Sequence, residues 1–398
     1  MPMEKTNQKD LARIKEAALA GAEQCYEAQM ELLRQFSAID CGTGNMAGSE
    51  KATALIEKIL QEMGADVHRI EAPGLGYHVV GSICSPDAQG TIVLNAHTDT
   101  VFGEGFTAQY PYHEDEDYAY GLGIADCKAG IAISLYGVKA AIQAGLLPKK
   151  EIKFIYNCDE EIGTISGSHV YETEAKGAEL ALVFEGCSRT ATGAYGVVTG
   201  RKGVILGTID VEGKEAHAGA DYLSGRSAVL ELAHKIIELY HFNDIEQGIF
   251  FNVAPIEGGR PNGIVAGSAH AEFCCAGLPT NESFAKAEAQ IRSLENSVTV
   301  EGCRVKVSYR TLFPAMEQDE KNHQAYLAVE KGAKALGLPV AEIAEPVATD
   351  GAYLSSLGIP TADAMSVVWE KIHTTQERLE KRSLKEKTAL LIAVLAQL

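Results

Sequence analysis

Several short, almost unbroken apolar runs in this 398-residue chain finish in acids or in a histidine, and that limits the folds open to it. Ile152-Lys153-Phe154-Ile155-Tyr156-Asn157-Cys158 ends in Asp159-Glu160-Glu161. Thr91-Ile92-Val93-Leu94-Asn95 leads into His97-Thr98-Asp99, and Leu180-Ala181-Leu182-Val183-Phe184 leads into Glu185. Runs this short and this apolar read as strands buried on both faces, as in a mostly parallel sheet covered by helices. Adjacent acids at the tip of such a strand are costly unless a positive charge sits among them. A divalent cation meets that need and takes ligands of this kind.

Helical spacing places helices at about 8–38, from a Ser49 cap to about Met63, and over 129–144 before Gly145. After about Gly200 the pattern changes. Strands are expected at 203–212, 250–256, 269–276 and 299–309, with helices at 225–240 and 281–295. That order, β-α-β-β-α-β, is the split ferredoxin-like arrangement. The chain is long for one core. It therefore reads as a discontinuous α/β domain, residues 1–200 and 313–398, carrying an inserted domain at 201–312. The tail ends in an amphipathic helix at 383–398.

Composition narrows the function. A net charge of −19 argues against nucleic acid and against an anionic membrane surface as partners. The polar start lacks the hydrophobic run of a signal peptide, and no apolar stretch is long enough to span a bilayer. The nine cysteines contain no CxxC pair, which fits reduced, cytoplasmic usage.

Residues two apart on extended backbone face the same side, so His97 and Asp99 can act together, one binding a metal and the other orienting the ring. Asp126, in Gly121-Leu122-Gly123-Ile124-Ala125-Asp126, stands at a helix start and on its own reads as an N-cap. Glu160 and Glu161 project to opposite sides if the strand continues, so one can ligate while the other reaches a water; spacing does not say which. Glu185 follows a strand, where ligands bind in open α/β sheets, and His373 lies near the chain's end. Each motif alone has an ordinary structural explanation; their convergence at one sheet edge is what points to metal. Three carboxylate ligands and a bridging hydroxide balance two Zn²⁺, with two histidines completing the shell. Paired ions about 3.5–4 Å apart activate a water and polarise a carbonyl.

The chain resembles the M20 metallopeptidases, the group that includes glutamate carboxypeptidase, aminoacylase and succinyl-diaminopimelate desuccinylase. The resemblance rests on Asn95 to Val101, Gly121 to Gly130, Asp159 to Gly163, Phe184-Glu185-Gly186, Gly213-Lys214-Glu215-Ala216-His217-Ala218-Gly219, Gly258-Gly259-Arg260-Pro261-Asn262, Thr349-Asp350-Gly351 and Ile372-His373-Thr374, in the family's order. It implies a zinc-exopeptidase-like catalytic domain with a mixed, mostly parallel sheet, and an inserted ferredoxin-like lid and dimerisation domain that closes over the site. It implies two Zn²⁺ per subunit, with Co²⁺ or Mn²⁺ as substitutes. Asp126 would bridge them, His97 and Glu185 complete one site, and Glu161 and His373 the other. Glu160 would be the general base, Asp99 the orienter of His97, and His217 an oxyanion donor, commonly across a dimer interface. Asn262 and Arg260 would contact substrate.

The implied reaction is amide hydrolysis: exopeptidase or dipeptidase action first, N-acyl-amino-acid deacylation second, with a catalytically silent metal-binding protein as the alternative outside enzymes. Two departures are visible. The family's lid-strand arginine falls at Ala276, which removes a bidentate carboxylate clamp from its usual place, and Gly121-Leu122-Gly123 replaces the usual Gly-Arg-Gly.

Overall fold

The computed structural model describes residues 8–84, 87–260 and 263–398. They form two compact units, one from the chain up to Gly200 with 318–344 and 349–398, the other from 201–317 with 345–348.

The first unit is built on strands β1 (Asp66–Ala72), β2 (Gly76–Ile83), β3 (Thr91–His97), β4 (Glu151–Asn157) and β5 (Leu180–Val183). They lie in the order β1-β2-β4-β3-β5, and the two-residue strand Thr361–Ala362 extends the β5 edge. β4, β3, β5 and Thr361–Ala362 run parallel, whereas β1 and β2 are antiparallel additions. Alternate residues enter different cores, as the period of a strand requires. Ile92, Leu94, Phe154 and Leu182 join one apolar cluster, and Val93, Ile155, Ala181 and Val183 join another on the opposite face. Helices Gln8–Ser37, Ala129–Gln143 and Lys381–Leu395 pack on one another over the first cluster. Leu354 and Ile359 lie in the second.

Some expectations are corrected. The second helix is Met46–Glu62 and is capped by Asn45, whose side chain accepts the Gly48 N–H at 2.9 Å. Ser49 lies inside it, and its Oγ accepts the Tyr77 N–H instead. The C-terminal helix is not amphipathic: from Lys387 to Leu395 every residue is buried, including Lys387, whose Nζ donates to the Ala364 carbonyl.

The second unit contains β6 (Gly203–Glu212), β7 (Phe250–Gly258), β8 (Ser268–Leu278) and β9 (Arg304–Phe313), with helices Ala228–His241 and Asn281–Ser293. The order β7-β8-β6-β9 with antiparallel neighbours is the ferredoxin-like arrangement. Pro255 sits on the edge strand β7 at a register shift, where a missing N–H breaks no ladder. The last strand begins later than the sequence pattern indicates, because the N–H groups of Thr299 and Val300 bond the buried Glu231 carboxylate rather than a neighbouring strand.

Candidate metal centre

Parallel register sets His97 at the end of β3 opposite Asn157 at the end of β4, and Val183 at the end of β5 beside Asn95. The three segments therefore leave the sheet at one edge, carrying His97-Thr98-Asp99, Asp159-Glu160-Glu161 and Glu185. Ligand sites of open α/β sheets lie at this carboxyl edge.

His97 is fully buried. Its Nδ1 lies 3.0 Å from the Asp99 carbonyl oxygen and 3.3 Å from Asp99 Oδ1. Its Nε2 lies 3.1 Å from Asp126 Oδ1 and 3.4 Å from Glu185 Oε1. His373 Nε2 lies 3.1 Å from Asp126 Oδ2 and 3.4 Å from Glu161 Oε2. Asp126 thus shows one oxygen to each histidine, and each histidine has its own glutamate.

Local structure fixes these positions. Asp126 is not a helix cap: the helix begins three residues later at Ala129, and Asp126 has non-helical angles in the preceding irregular segment. That helix start lies close to the end of β5, because a Cβ at Gly130 would fall 2.1 Å from the Phe184 carbonyl oxygen. Glu160 and Glu161 are not extended either; they open a 3₁₀ turn, Glu160–Ile162. Both of their N–H groups bond the Asp99 carboxylate at 3.2 Å, and Thr43 Oγ1 donates to it at 2.7 Å. One carboxylate therefore orients the His97 ring and anchors the acidic turn. Asp159 closes the turn's other end, with Oδ2 accepting from Ser166 N and Oγ.

Electrostatics follow from the charges gathered here. Burial opposes a charge on His97, yet Cys127, Glu185, Asp126 and Asp99 around it push its pKa well above the usual value. Hydrogen bonding to Asp126 and Glu161 raises His373 to about 10. Burial works against ionised Asp126, but His373 and His97 hold it below the usual carboxylate range. Burial raises both Glu160 and Glu161. The surrounding carboxylates thus favour positive charge beside both histidine rings. Neutral rings, with Nδ1–H of His97 donated to Asp99 and Nε2 lone pairs turned inward, fit divalent ions in the same places. Candidate ligand atoms of His97, Asp126 and Glu161 lie within 4.8 Å of one another, as do those of His97, Cys127 and Glu185. Cys127 Sγ accepts the His97 backbone N–H at 3.1 Å, and burial drives its thiol pKa well up, which makes it a poorer metal ligand than the carboxylates.

The remaining residues singled out in the sequence lie on the second unit. His217 is exposed, and its Nδ1 lies 3.1 Å from the N–H groups of Gly219 and Ala220, which leaves the ring proton on Nε2. Arg260 pairs side-on with Glu215. Asn262 lies outside the described residues. Sequence reasoning missed Glu377, Thr43 and His78, which bonds the Ser166 hydroxyl that backs Asp159. Only the short interval between His373 and Glu377 hints at the first of these.

Residues 93–397 match the model of peptidase family M20/M25/M40. The chain belongs to that family. It is a hydrolytic metallopeptidase of the M20 type. Carboxypeptidase G2 of Pseudomonas sp. (strain RS-16) is 28% identical over 347 residues, 85% of this chain and 81% of that protein. Human aminoacylase-1 is 24% identical over 83% of this chain and 85% of its own. Among solved structures, aminopeptidase PepT from Bacillus cereus superposes with a TM-score of 0.76 at 20% identity, covering 94% of this chain and 98% of that one, which establishes the shared fold. Among the described residues of this M20 peptidase, no helix is long and apolar enough to cross a membrane.

Proposed function

We propose that this enzyme is a dinuclear-zinc exopeptidase or dipeptidase that cleaves a peptide bond near a chain terminus. The observation that carries the reading is the Asp126 carboxylate, with one oxygen toward His97 and Glu185 and the other toward His373 and Glu161. Zn²⁺ suits this mixed nitrogen and oxygen donor set, and Co²⁺ or Mn²⁺ can take its place. When bound, a pair of such ions supplies Lewis acidity, lowering the pKa of a water and polarising the scissile carbonyl.

Glu160 takes the proton of the attacking water and delivers it to the leaving amine nitrogen. Its neighbours leave it free for proton transfer, since Glu161 from the same turn is committed to His373 and Asp99 holds the turn from beneath. Asp99 also keeps the His97 proton on Nδ1. We assign the oxyanion-donor role to His217, whose Nε2–H tautomer is the one that role requires. Arg260 and Asn262 are kept as substrate contacts, Arg260 acting together with Glu215. The second unit is assigned the lid and dimer-forming part, and nine cysteines, none in a disulfide among the described residues, support a reducing, cytoplasmic setting.

N-acyl-amino-acid deacylation is the second reading. It is favoured by the similarity to aminoacylase-1 and by Ala276, which leaves β8 without the clamping arginine. The test has two arms. Glu160→Ala is expected to retain bound metal while losing on the order of 10²- to 10⁴-fold in kcat; normal turnover would sink the mechanism. A substrate panel of free and amidated C-termini, with N-acyl amino acids alongside, separates the two readings, since equal cleavage of both peptide forms counts against recognition of a free carboxylate.

A further inference from the structure

Glu377 has no part in the chemistry above, yet it is buried beside the centre. Its Oε2 accepts the Gly123 N–H at 2.8 Å, and its Oε1 accepts those of Ala125 and Asp126 at 2.9 and 3.1 Å. The N–H groups converge because Gly123 takes a left-handed conformation, φ 67°, turning the segment back on itself. A carboxylate buried there is stable only while that segment keeps this shape. Glu377 is also the last residue of the turn that carries His373. Its N–H bonds the Thr374 carbonyl at 3.1 Å, and its carbonyl accepts the Gly121 N–H at 3.3 Å. Within the same turn Lys371 and His373 adopt φ of 58° and 59°, conformations that non-glycine residues hold only when their surroundings over-determine them.

We infer that Glu377 is a positioning residue for the metal pair: its side chain and backbone tie the Asp126 segment to the His373 turn, setting where Asp126 Oδ2 and His373 Nε2 meet. This role rests on the dinuclear reading. It affects one side of the centre more than the other. His97, Glu161 and Glu185 lie on segments leaving β3, β4 and β5, whereas His373 and the Asp126 backbone depend on Glu377.

The test is Co²⁺ and Zn²⁺ binding to the full-length metal-free protein, comparing wild type with Glu377→Gln and Glu377→Ala. Gln keeps the shape and one acceptor oxygen, and so covers the case in which Ala fails to fold. The wild type is expected to take up two ions. The variants are expected to bind one of them about 10- to 100-fold more weakly, with a changed visible Co²⁺ spectrum for the weakened site and a nearly unchanged spectrum for the first equivalent. A variant that melts at lower temperature yet binds both ions with wild-type affinity and spectrum overturns the role, because a merely structural residue behaves that way. Equal weakening of both sites overturns it too. Failure of the wild type to bind a second ion overturns the dinuclear reading and this role together, whereas two ions bound alike by wild type and variants remove the role of Glu377 alone.

Discussion

At the scale of single residues, what the sequence shows and what it hides divide along a physical line. His97, Asp126, Glu160, Glu161, Glu185 and His373 stand out because each is a costly residue at the end of an apolar run or in a turn. Strand alternation predicts a division of labour between Glu160 and Glu161, and the actual cause of their separation is different: a 3₁₀ turn pinned by Asp99 holds them apart. Glu377 and Thr43 are hidden because their partners are backbone groups or residues far along the chain, which no local pattern encodes. Asp350 is visible in the sequence within Thr349-Asp350-Gly351, but its environment is not. It is buried, accepts a bond from Thr164 Oγ1 at 2.6 Å, and burial raises its pKa to about 7. A folded-state pKa raised above the unfolded value near 3.8 means that the folded form holds a proton the unfolded form has released. The stability of the metal-free protein should therefore fall as pH rises from about 4 to 7, by at most about 1.4 kcal/mol per pH unit from this group. Asp350→Asn, neutral throughout, should flatten that slope in urea midpoints measured across the range. A slope as steep in the variant as in the wild type would show that Asp350 is not its source.

At the scale of elements, the strands that carry the site are the easiest to read, since burial on both faces leaves few polar positions. The β1–β2 hairpin escapes the pattern for the opposite reason: β1 is a half-exposed edge strand, and its pairing is set by β2 rather than by its own alternation. Helix starts are misplaced where side chains compete for backbone groups, as with Asn45 against Ser49. Gly130 gives the element scale its own test. Replacing a helical glycine by alanine ordinarily stabilises by about 1 kcal/mol. Here the added Cβ would press on the Phe184 carbonyl, a backbone atom one residue before Glu185, with no flexible side chain to yield. Gly130→Ala should instead cost about 1–3 kcal/mol, the usual penalty for overpacking. Urea unfolding at constant m would register it, and an unchanged or higher midpoint would mean that the helix and β5 can separate without loss.

At the scale of the whole molecule, the change from buried parallel strands to β-α-β-β-α-β is written in the alternation after Gly200, because the second unit's own four-stranded sheet packs one face against its helices. Its outer surface is not legible, since exposed apolar residues look like core residues in a one-dimensional pattern. Helix Ala228–His241 leaves Val229, Leu230, Ile237 and Tyr240 exposed, and the Tyr240 hydroxyl accepts the Val253 N–H of the edge strand β7, which pairs with β8 on one side. Phe250 and Ile256 on β7 are exposed as well. An apolar helix stripe beside an open strand edge is suited to a second copy of the same chain. A two-fold interface sets each patch against itself, and the strand edge then gains a partner instead of remaining a hazard. Ile237, 56% exposed on that stripe, is a position where an added charge would oppose burial in such an interface. Ile237→Glu should shift the sedimentation mass from dimer toward monomer at micromolar concentration without lowering the urea midpoint of the isolated chain, because the side chain is outside the core. A wild-type protein that stays monomeric at every concentration, or a variant that dimerises as tightly as the wild type, would remove the second unit from the assembly and leave its apolar face to some other partner.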